Sequence, residues 1–144
     1  MTIAAILKHK GRNVVHVDPT ARIVDVAALL TGHKIGAVMV LDRAGQLLGI
    51  LSERDIVHEI AVSGARALDM SAAQLMTSNI TTASPNTRVG EAMAMMTTGR
   101  FRHLPIVDQG QLLGIVSIGD VVKRVIEDQS NEVDNLKAYV AGNA

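Results

Sequence analysis

Two short segments of the chain each place a hydroxyl and a carboxylate three residues apart. Ser52 and Asp55 occur in the first segment, and Ser117 and Asp120 occur in the second. Each pair follows an apolar, β-type run, so each is expected where a strand turns into a helix. A serine at a helix N-terminus with an acid three residues later is typical of a capping box. The same kind of turn exposes backbone N–H groups that bind anions.

Two interpretations fit this Ser-x-x-Asp pattern. In the first, each pair only caps its own helix. In the second, the hydroxyl contacts a phosphate and the carboxylate accepts hydrogen bonds from the two hydroxyls of a ribose, as acids do in dinucleotide-binding folds. Because duplication copies a structural cap as readily as a binding site, the repetition alone does not decide between them.

The two segments belong to an internal repeat that covers most of the chain. Residues 45–55 return as residues 110–120, with eight identities in eleven positions. The apolar spacing i, i+3, i+4, i+7 that starts at Ile23 is reproduced from Val89, which predicts equivalent helices. Each copy therefore reads β-α-β-β-α. We predict strands at 14–17, 37–41 and 47–51, with counterparts at 80–83, 104–107 and 112–116, and closing helices at 52–61 and 117–127.

The predicted fold class is α/β (α+β), with two repeats packed about a pseudo-twofold axis. A unit of about 60 residues hides its apolar faces poorly, so the two copies should form one body. We assign residues 1–66 to the first repeat with its N-terminal segment, 67–78 to a linker with a short helix, 79–129 to the second repeat and 130–144 to a C-terminal helical tail. Two terminal apolar stripes are expected to cover the other repeat or a second subunit: Ile3, Ile6 and Leu7, and Val133, Leu136 and Val140.

Composition excludes several classes of function. The 144 residues carry 14 basic and 14 acidic side chains and only two aromatic ones, which disfavours nucleic-acid binding. The absence of cysteine removes disulfides, Cys-ligated zinc and thiol catalysis. No apolar run suits a signal peptide or a membrane span, so a soluble cytoplasmic protein is expected. The histidines lack metal-ligand spacing, and no nucleophile–base motif suggests an enzyme.

The repeated motifs resemble those of a tandem cystathionine-β-synthase (CBS) domain pair of the free-standing type. The resemblance covers roughly residues 12–127 and rests on the closing motif Gly-hydrophobic-hydrophobic-Thr/Ser-x-x-Asp, present twice with Ser in place of the commoner Thr. It implies adenosine-containing ligands (AMP, ADP, ATP, NAD or S-adenosylmethionine) in clefts between the copies, with no catalytic cofactor and no metal. It also implies a disk-like homodimer that signals to a partner protein of unknown identity.

The resemblance also assigns residue roles. Asp55 and Asp120 would hold the ribose, Ser52 and Ser117 would contact the phosphate, and Arg54 matches a basic residue at the phosphates, where the second copy has Gly119. Adenine would contact the first strand and the start of the second strand of a copy. The residues concerned are His16, Val17, Gly36, Ala37, Val38 and Met39, or Thr82, Ala83, Arg102, His103, Leu104 and Pro105, with Ile118 beside Ser117.

Three functions remain open at this stage. We favour a non-catalytic sensor of adenine nucleotides. A dimeric interaction scaffold with vestigial clefts is the alternative, because the first copy lacks the family's Pro at Met39 and the second lacks the Arg at Gly119. A nucleotide hydrolase is disfavoured by the missing general base. Lys34 and Arg100, just before the second strands, fit either a solvated rim or the wall of a cleft.

Overall fold

The computed structural model describes residues 1–11 and 14–142, so positions 12–13 and 143–144 of the predicted repeat and tail lie outside the described residues. The elements in chain order are α1 (Ile3–Lys10), β1 (His16–Val17), α2 (Ile23–His33), β2 (Ala37–Leu41), β3 (Leu47–Ser52), α3 (Glu53–Ser63), a 3₁₀ helix (Gly64–Asp69), α4 (Ala72–Leu75), α5 (Val89–Gly99), β4 (His103–Asp108), β5 (Gln111–Ser117) and α6 (Ile118–Gly142). The order β-α-β-β-α recurs as the sequence predicts, apart from the first strand of the second copy.

The strands form two small sheets, one in each repeat. In the first sheet, β1 pairs in parallel with β2, and β2 pairs antiparallel with β3. In the second sheet, β4 and β5 pair antiparallel. The strand predicted at 80–83 is reduced to a single bridge between Ala83 and Ile106. The Ile80 N–H already donates to the Ser78 carbonyl at 3.1 Å, so it is not available to a strand ladder.

Helices α2 and α5 occupy equivalent places and bury the stripes that their spacing predicts. Ile23, Val26 and Leu30 are buried in α2, and their counterparts are buried in α5. Each helix ends in a left-handed residue, Lys34 with φ 54° and Arg100 with φ 57°. This conformation stops the helix and turns the chain into the following strand.

The core consists of two clusters, one in each repeat. Each cluster also contains a helix that precedes the other repeat in the sequence. The buried Ala72 of α4 packs in the cluster of the first repeat, while Ile3, Ile6 and Leu7 of α1 pack in the cluster of the second. The backbone contacts are equivalent, because Ala72 N–H donates to the Ala21 carbonyl and Ile3 N–H donates to the Thr87 carbonyl, both at 2.8 Å. Helix α1 therefore covers the other repeat, one of the two possibilities that its stripe left open.

Helix α6 is longer than the sequence predicted. It does not end near residue 127 but continues without a break to Gly142, a length of 25 residues. Its first half contacts α5, α1 and β5. Every residue from 129 to 141 is exposed, so the second half of the helix projects away from the two repeats. The predicted C-terminal tail is thus the distal part of α6.

Candidate functional site

Both Ser-x-x-Asp segments lie at strand-to-helix turns and both form capping boxes. In the first, the Asp55 N–H donates to Ser52 Oγ at 3.2 Å and the Ser52 N–H donates to Asp55 Oδ2 at 2.9 Å. In the second, the corresponding distances are 3.1 Å and 2.8 Å for Ser117 and Asp120. The structural interpretation of the pattern is therefore confirmed. These bonds to the main chain use the Oδ2 oxygen of each carboxylate.

The first backbone N–H of α3 and of α6 donates a hydrogen bond to a carbonyl just before the second strand of the same repeat. The Glu53 N–H donates to the Gly36 carbonyl at 2.9 Å, and the Ile118 N–H donates to the Arg102 carbonyl at 2.8 Å. Gly36 and Arg102 occupy equivalent positions in the two repeats. These bonds hold the start of each closing helix beside the loop that follows α2 or α5.

An open cavity of about 580 Å³ adjoins the Asp55 turn, and we call it the Asp55 cleft. Its walls come from both repeats and from the segment that joins them. It includes six of the predicted site residues. The lining residues are Gly36, Ile50, Ser52, Glu53, Arg54, Asp55 and Val57 from the first repeat, and Thr77, Asn79, Ile80, Thr81, Arg100, Phe101, Arg102 and His103 from the linker and the second. A volume of this size is within the range of small-molecule sites.

The Asp55 cleft collects more positive than negative side chains. Arg54, Arg100 and Arg102 contribute guanidinium groups, against the carboxylates of Glu53 and Asp55. Arginine side chains of this kind bind phosphate groups through paired N–H donors. Arg100, which the sequence left undecided, therefore lines the cleft, whereas its counterpart Lys34 is not among the lining residues.

His103 lies between the two turns. Burial lowers the pKa of its imidazole below the ordinary value, and the positive charges of Lys10 and Arg102 lower it further. Asp120 and Glu53 act in the opposite direction but do not cancel these effects. The side chain, which lines the cleft, is therefore mainly neutral at pH 7, and a neutral imidazole carries one N–H donor and one acceptor.

The Asp120 turn is arranged differently. The ammonium of Lys10, at the end of α1, lies 2.5 Å from Asp120 Oδ2. Burial alone would raise the pKa of Asp120, but hydrogen bonds from Lys10 and Ser117 bring it below the ordinary value. Gly119 stands where the first repeat has Arg54. This carboxylate thus already has a cationic partner from within the chain.

The remaining predicted residues do not line the Asp55 cleft. Seven have buried side chains within the sheets or their edges, namely Val17, Ala37, Val38, Met39, Ala83, Leu104 and Pro105. His16 and Thr82 are exposed elsewhere, and Ile118 packs against the core of the second repeat. Because the side chains of these seven residues are buried, a ligand in the cleft could contact only their main-chain atoms. Their assignment to a ligand stays a prediction.

Sequence reasoning missed several residues of the cleft. Glu53, Phe101 and four residues of the loop at 77–81 line it, namely Thr77, Asn79, Ile80 and Thr81. The loop carries a signal that was visible in the sequence, because four of its five residues have hydroxyl or amide side chains and it spans the junction between the linker and the second repeat. The sequence did not show that this loop would face the closing helix of the first repeat.

Comparison with known proteins identifies the family. The CBS domain matches twice, over residues 9–62 and 72–127. The chain belongs to the CBS domain family. A mitochondrial CBS domain-containing protein of Arabidopsis thaliana, CBSX3, is 34% identical over 98% of this chain and 72% of its own length. The crystal structure of a CBS-domain containing protein from Agrobacterium tumefaciens superimposes with a TM-score of 0.82 and 46% identity, covering 85% of this chain and 91% of that one.

A second solved structure contains a ligand. CBSX2, crystallised in complex with AMP, shares the fold with a TM-score of 0.74 at 24% identity, over 89% of this chain and 98% of its own. The tandem CBS fold is thus confirmed. Within residues 1–11 and 14–142, no helix is long and apolar enough to cross a membrane.

Proposed function

We propose that this CBS pair is a non-catalytic regulatory module that binds an adenine nucleotide (AMP, ATP or NAD) in the Asp55 cleft. The observation that carries the proposal is the composition of that cleft. One cavity of about 580 Å³ is lined by the Asp55 carboxylate, by the N-terminus of α3 and by three arginines. Carboxylate and cations are the groups that a nucleotide's sugar and phosphates require.

The two ends of the ligand would meet different groups. Asp55 Oδ2 accepts the Ser52 N–H, and a ribose hydroxyl would share or displace that bond. The phosphates would contact the first turn of α3, where Ser52 and Arg54 stand, and the guanidinium groups of Arg100 and Arg102 on the facing wall. The helix dipole favours negative charge at the same place.

The base would lie beside Gly36. A β-carbon at Gly36 would lie 3.3 Å from Glu53 Oε1 and 3.6 Å from His103 Cε1, so these three residues lie together in one wall of the cleft. The Glu53 carboxylate is an acceptor for the exocyclic amine of adenine, whereas guanine presents a carbonyl there. The AMP complex of CBSX2 supports an adenosine ligand for this fold.

Regulation would follow from where the cleft lies. Ser52 to Asp55 belong to the first repeat, while Arg100 to His103 belong to the second. A ligand that contacts both repeats favours the arrangement in which it fits best, and so shifts the population of conformations. The coupling is limited by the ligand's preference between states, typically about 1–3 kcal/mol. A partner protein or second subunit would bind one of these conformations in preference to the other.

Calorimetric titration with AMP, ATP and NAD tests the proposal. Asp55→Asn retains an oxygen for the Ser52 N–H but removes the charge that holds the ribose, so affinity should fall by about 10- to 150-fold. Gln74→Ala is the matched control, because it weakens the similar capping box of α4 outside the cleft. Unchanged affinity in Asp55→Asn would remove the ribose role.

The scaffold alternative keeps one specific observation in its favour. Both carboxylates already serve their capping boxes, and Asp120 is also paired with Lys10. A scaffold protein whose clefts bind no ligand would have the same hydrogen bonds at these two carboxylates. Absence of any thermal shift with AMP, ATP or NAD at millimolar concentration would favour the scaffold over the sensor.

A further inference from the structure

The distal half of α6 carries an apolar stripe that the two repeats do not cover. Ile126, Val133, Leu136 and Val140 have exposed fractions of 59%, 51%, 63% and 61%. We call these four residues the α6 stripe. They follow one another at intervals of seven, three and four residues, so they lie on one side of the helix. Most of the stripe is beyond residue 127, where the match to the CBS domain ends.

The side chains of the distal half of α6 are exposed. Residues 129–141 are all in this class, and 13 residues at 1.5 Å each extend about 20 Å. An isolated helix of that length is marginal in water. A partner on the apolar side would stabilise it.

The spacing is that of a two-stranded coiled coil. With Ile126, Val133 and Val140 at a positions, Leu136 falls at d and Gln129 occupies the preceding d position. β-Branched residues at a with Leu at d favour parallel dimers. A single polar residue in the seam is a common device that fixes the register at some cost in stability.

The charges beside the stripe agree with the same arrangement. Glu132 occupies a g position and Lys137 the e position five residues later. In a parallel, in-register dimer, each g residue faces the e residue of the partner's next heptad. Glu132 of one chain would therefore face Lys137 of the other, twice by symmetry. An antiparallel pair would place g positions beside g positions and e positions beside e positions, so Glu132 and Lys137 would not face one another.

We infer that the α6 stripe is an interface with a second copy of this chain, in which the distal halves of the two α6 helices form a short parallel coiled coil. Most of this interface lies beyond the region matched by the CBS domain, and it does not depend on nucleotide binding. It fixes the orientation of the dimer, because the parallel pairing brings the two second repeats to the same end.

Sedimentation of the full chain tests the interface. The wild type should be dimeric at micromolar concentration, and Leu136→Asp should weaken self-association by at least about 100-fold, because the charge enters the seam twice. Ala138→Asp is the matched control, since it adds the same charge on the opposite side of the helix and should leave the dimer intact. A monomeric wild type, or equal behaviour of the two variants, overturns the inference.

Cross-linking tests the orientation, and the chain has no cysteine of its own. In a parallel, in-register pair, two Leu136→Cys side chains meet across the seam within disulfide distance. Oxidation should therefore give a covalent dimer of Leu136→Cys but not of the outward-facing Ala138→Cys. A noncovalent dimer in which Leu136→Cys fails to cross-link contradicts the parallel register.

Charge exchange supplies an independent readout. Glu132→Lys and Lys137→Glu should each weaken their homodimer, because two pairs become like-charged. The double variant restores both pairs in the parallel register and should regain the wild-type affinity. If the double variant stays as weak as the singles, Glu132 and Lys137 do not face one another.

Discussion

The two Ser-x-x-Asp turns share a backbone but differ in the side chains around them. Their capping distances agree within 0.1 Å, and both helices begin against the carbonyl of an equivalent loop residue. Yet the Asp55 turn carries Arg54 and faces Arg100 and Arg102 across an open cavity, whereas Asp120 is held by Lys10 and has Gly119 next to it. Duplication has thus preserved the capping geometry while the ligand-facing positions have diverged.

The divergence traces to two pairs of equivalent positions. Arg54 corresponds to Gly119 in the closing turn, and Gly36 corresponds to Arg102 before the second strand. Because the Asp55 cleft takes its turn from one repeat and its facing wall from the other, it receives both arginines. The Asp120 turn receives neither Arg54 nor an equivalent of it. We therefore expect the two sites to differ in affinity for phosphorylated ligands.

Exchanging Arg54 and its glycine counterpart should have the largest effect on this difference. Arg54→Gly removes a charge-assisted hydrogen bond to phosphate, so the affinity for ATP should fall by about 10- to 150-fold in calorimetry. The β-carbon of Gly119→Arg meets only Ser117 Oγ at 3.6 Å, so that change should be accommodated and should strengthen binding at the second turn. Arg43→Gly, in the turn between β2 and β3, is the control. An unaltered ATP affinity in Arg54→Gly would remove the phosphate role.

The capping boxes should contribute equally to stability. Ser52→Ala and Ser117→Ala each delete one side-chain acceptor at a helix N-terminus, which costs about 1 kcal/mol in the free energy of unfolding. Urea denaturation of each variant, beside the exposed mid-helix control Ser130→Ala, measures this cost. A markedly smaller loss in Ser117→Ala would mean that Lys10 holds the second turn independently of its cap.

Removing Lys10 should make the two turns more alike. Lys10→Met breaks a partly exposed ion pair worth about 0.2–1 kcal/mol, so adenosine-ligand affinity at Asp120 should rise by up to about fivefold. The pKa of Asp120 should rise at the same time, because Lys10 is a main cause of its lowering. Carboxylate titration by NMR and calorimetry check the two effects, with Lys8→Met as control. A second turn that binds no better in Lys10→Met would show that Lys10 does not restrict it.

The smallest effect concerns pH and His103, the residue between the turns. Its pKa is lowered in the folded chain, so below its ordinary value of about 6.5 the unfolded chain binds more protons than the folded one. The free energy of unfolding should therefore fall as the pH drops through that value. His103→Gln should reduce this slope between pH 7.5 and 5.5. Identical slopes for wild type and His103→Gln would contradict the pKa direction.

The sequence predicted the elements that depend on local patterns. The doubled spacing from Ile23 and Val89 gave the buried faces of α2 and α5, and the apolar runs gave β2 to β5. The capping boxes followed from residues three apart. Each of these features is determined by neighbours within one or two turns of the chain, which is the range that periodicity reports.

Contacts between distant segments could not be predicted in the same way. Lys10 meets Asp120 across 110 positions, and the loop at 77–81 faces a helix of the preceding repeat. Nothing in the apolar pattern sets which repeat a flanking helix covers, so the position of α1 became visible only in the structure. The sequence predicted a helical tail at 130–144 but not that it continues α6 without a break. The apolar pattern does not show whether two successive helical segments are joined.

The bond from the Ile118 N–H to the Arg102 carbonyl joins the wall of the Asp55 cleft directly to the root of α6. A rigid helix of 25 residues is about 37 Å long, so it acts as a lever arm. A tilt of about 5° at Ile118 would swing its far end by about 3 Å. An adjustment of Arg102 too slight to alter the sheet behind it would thus be magnified at the tip of the molecule.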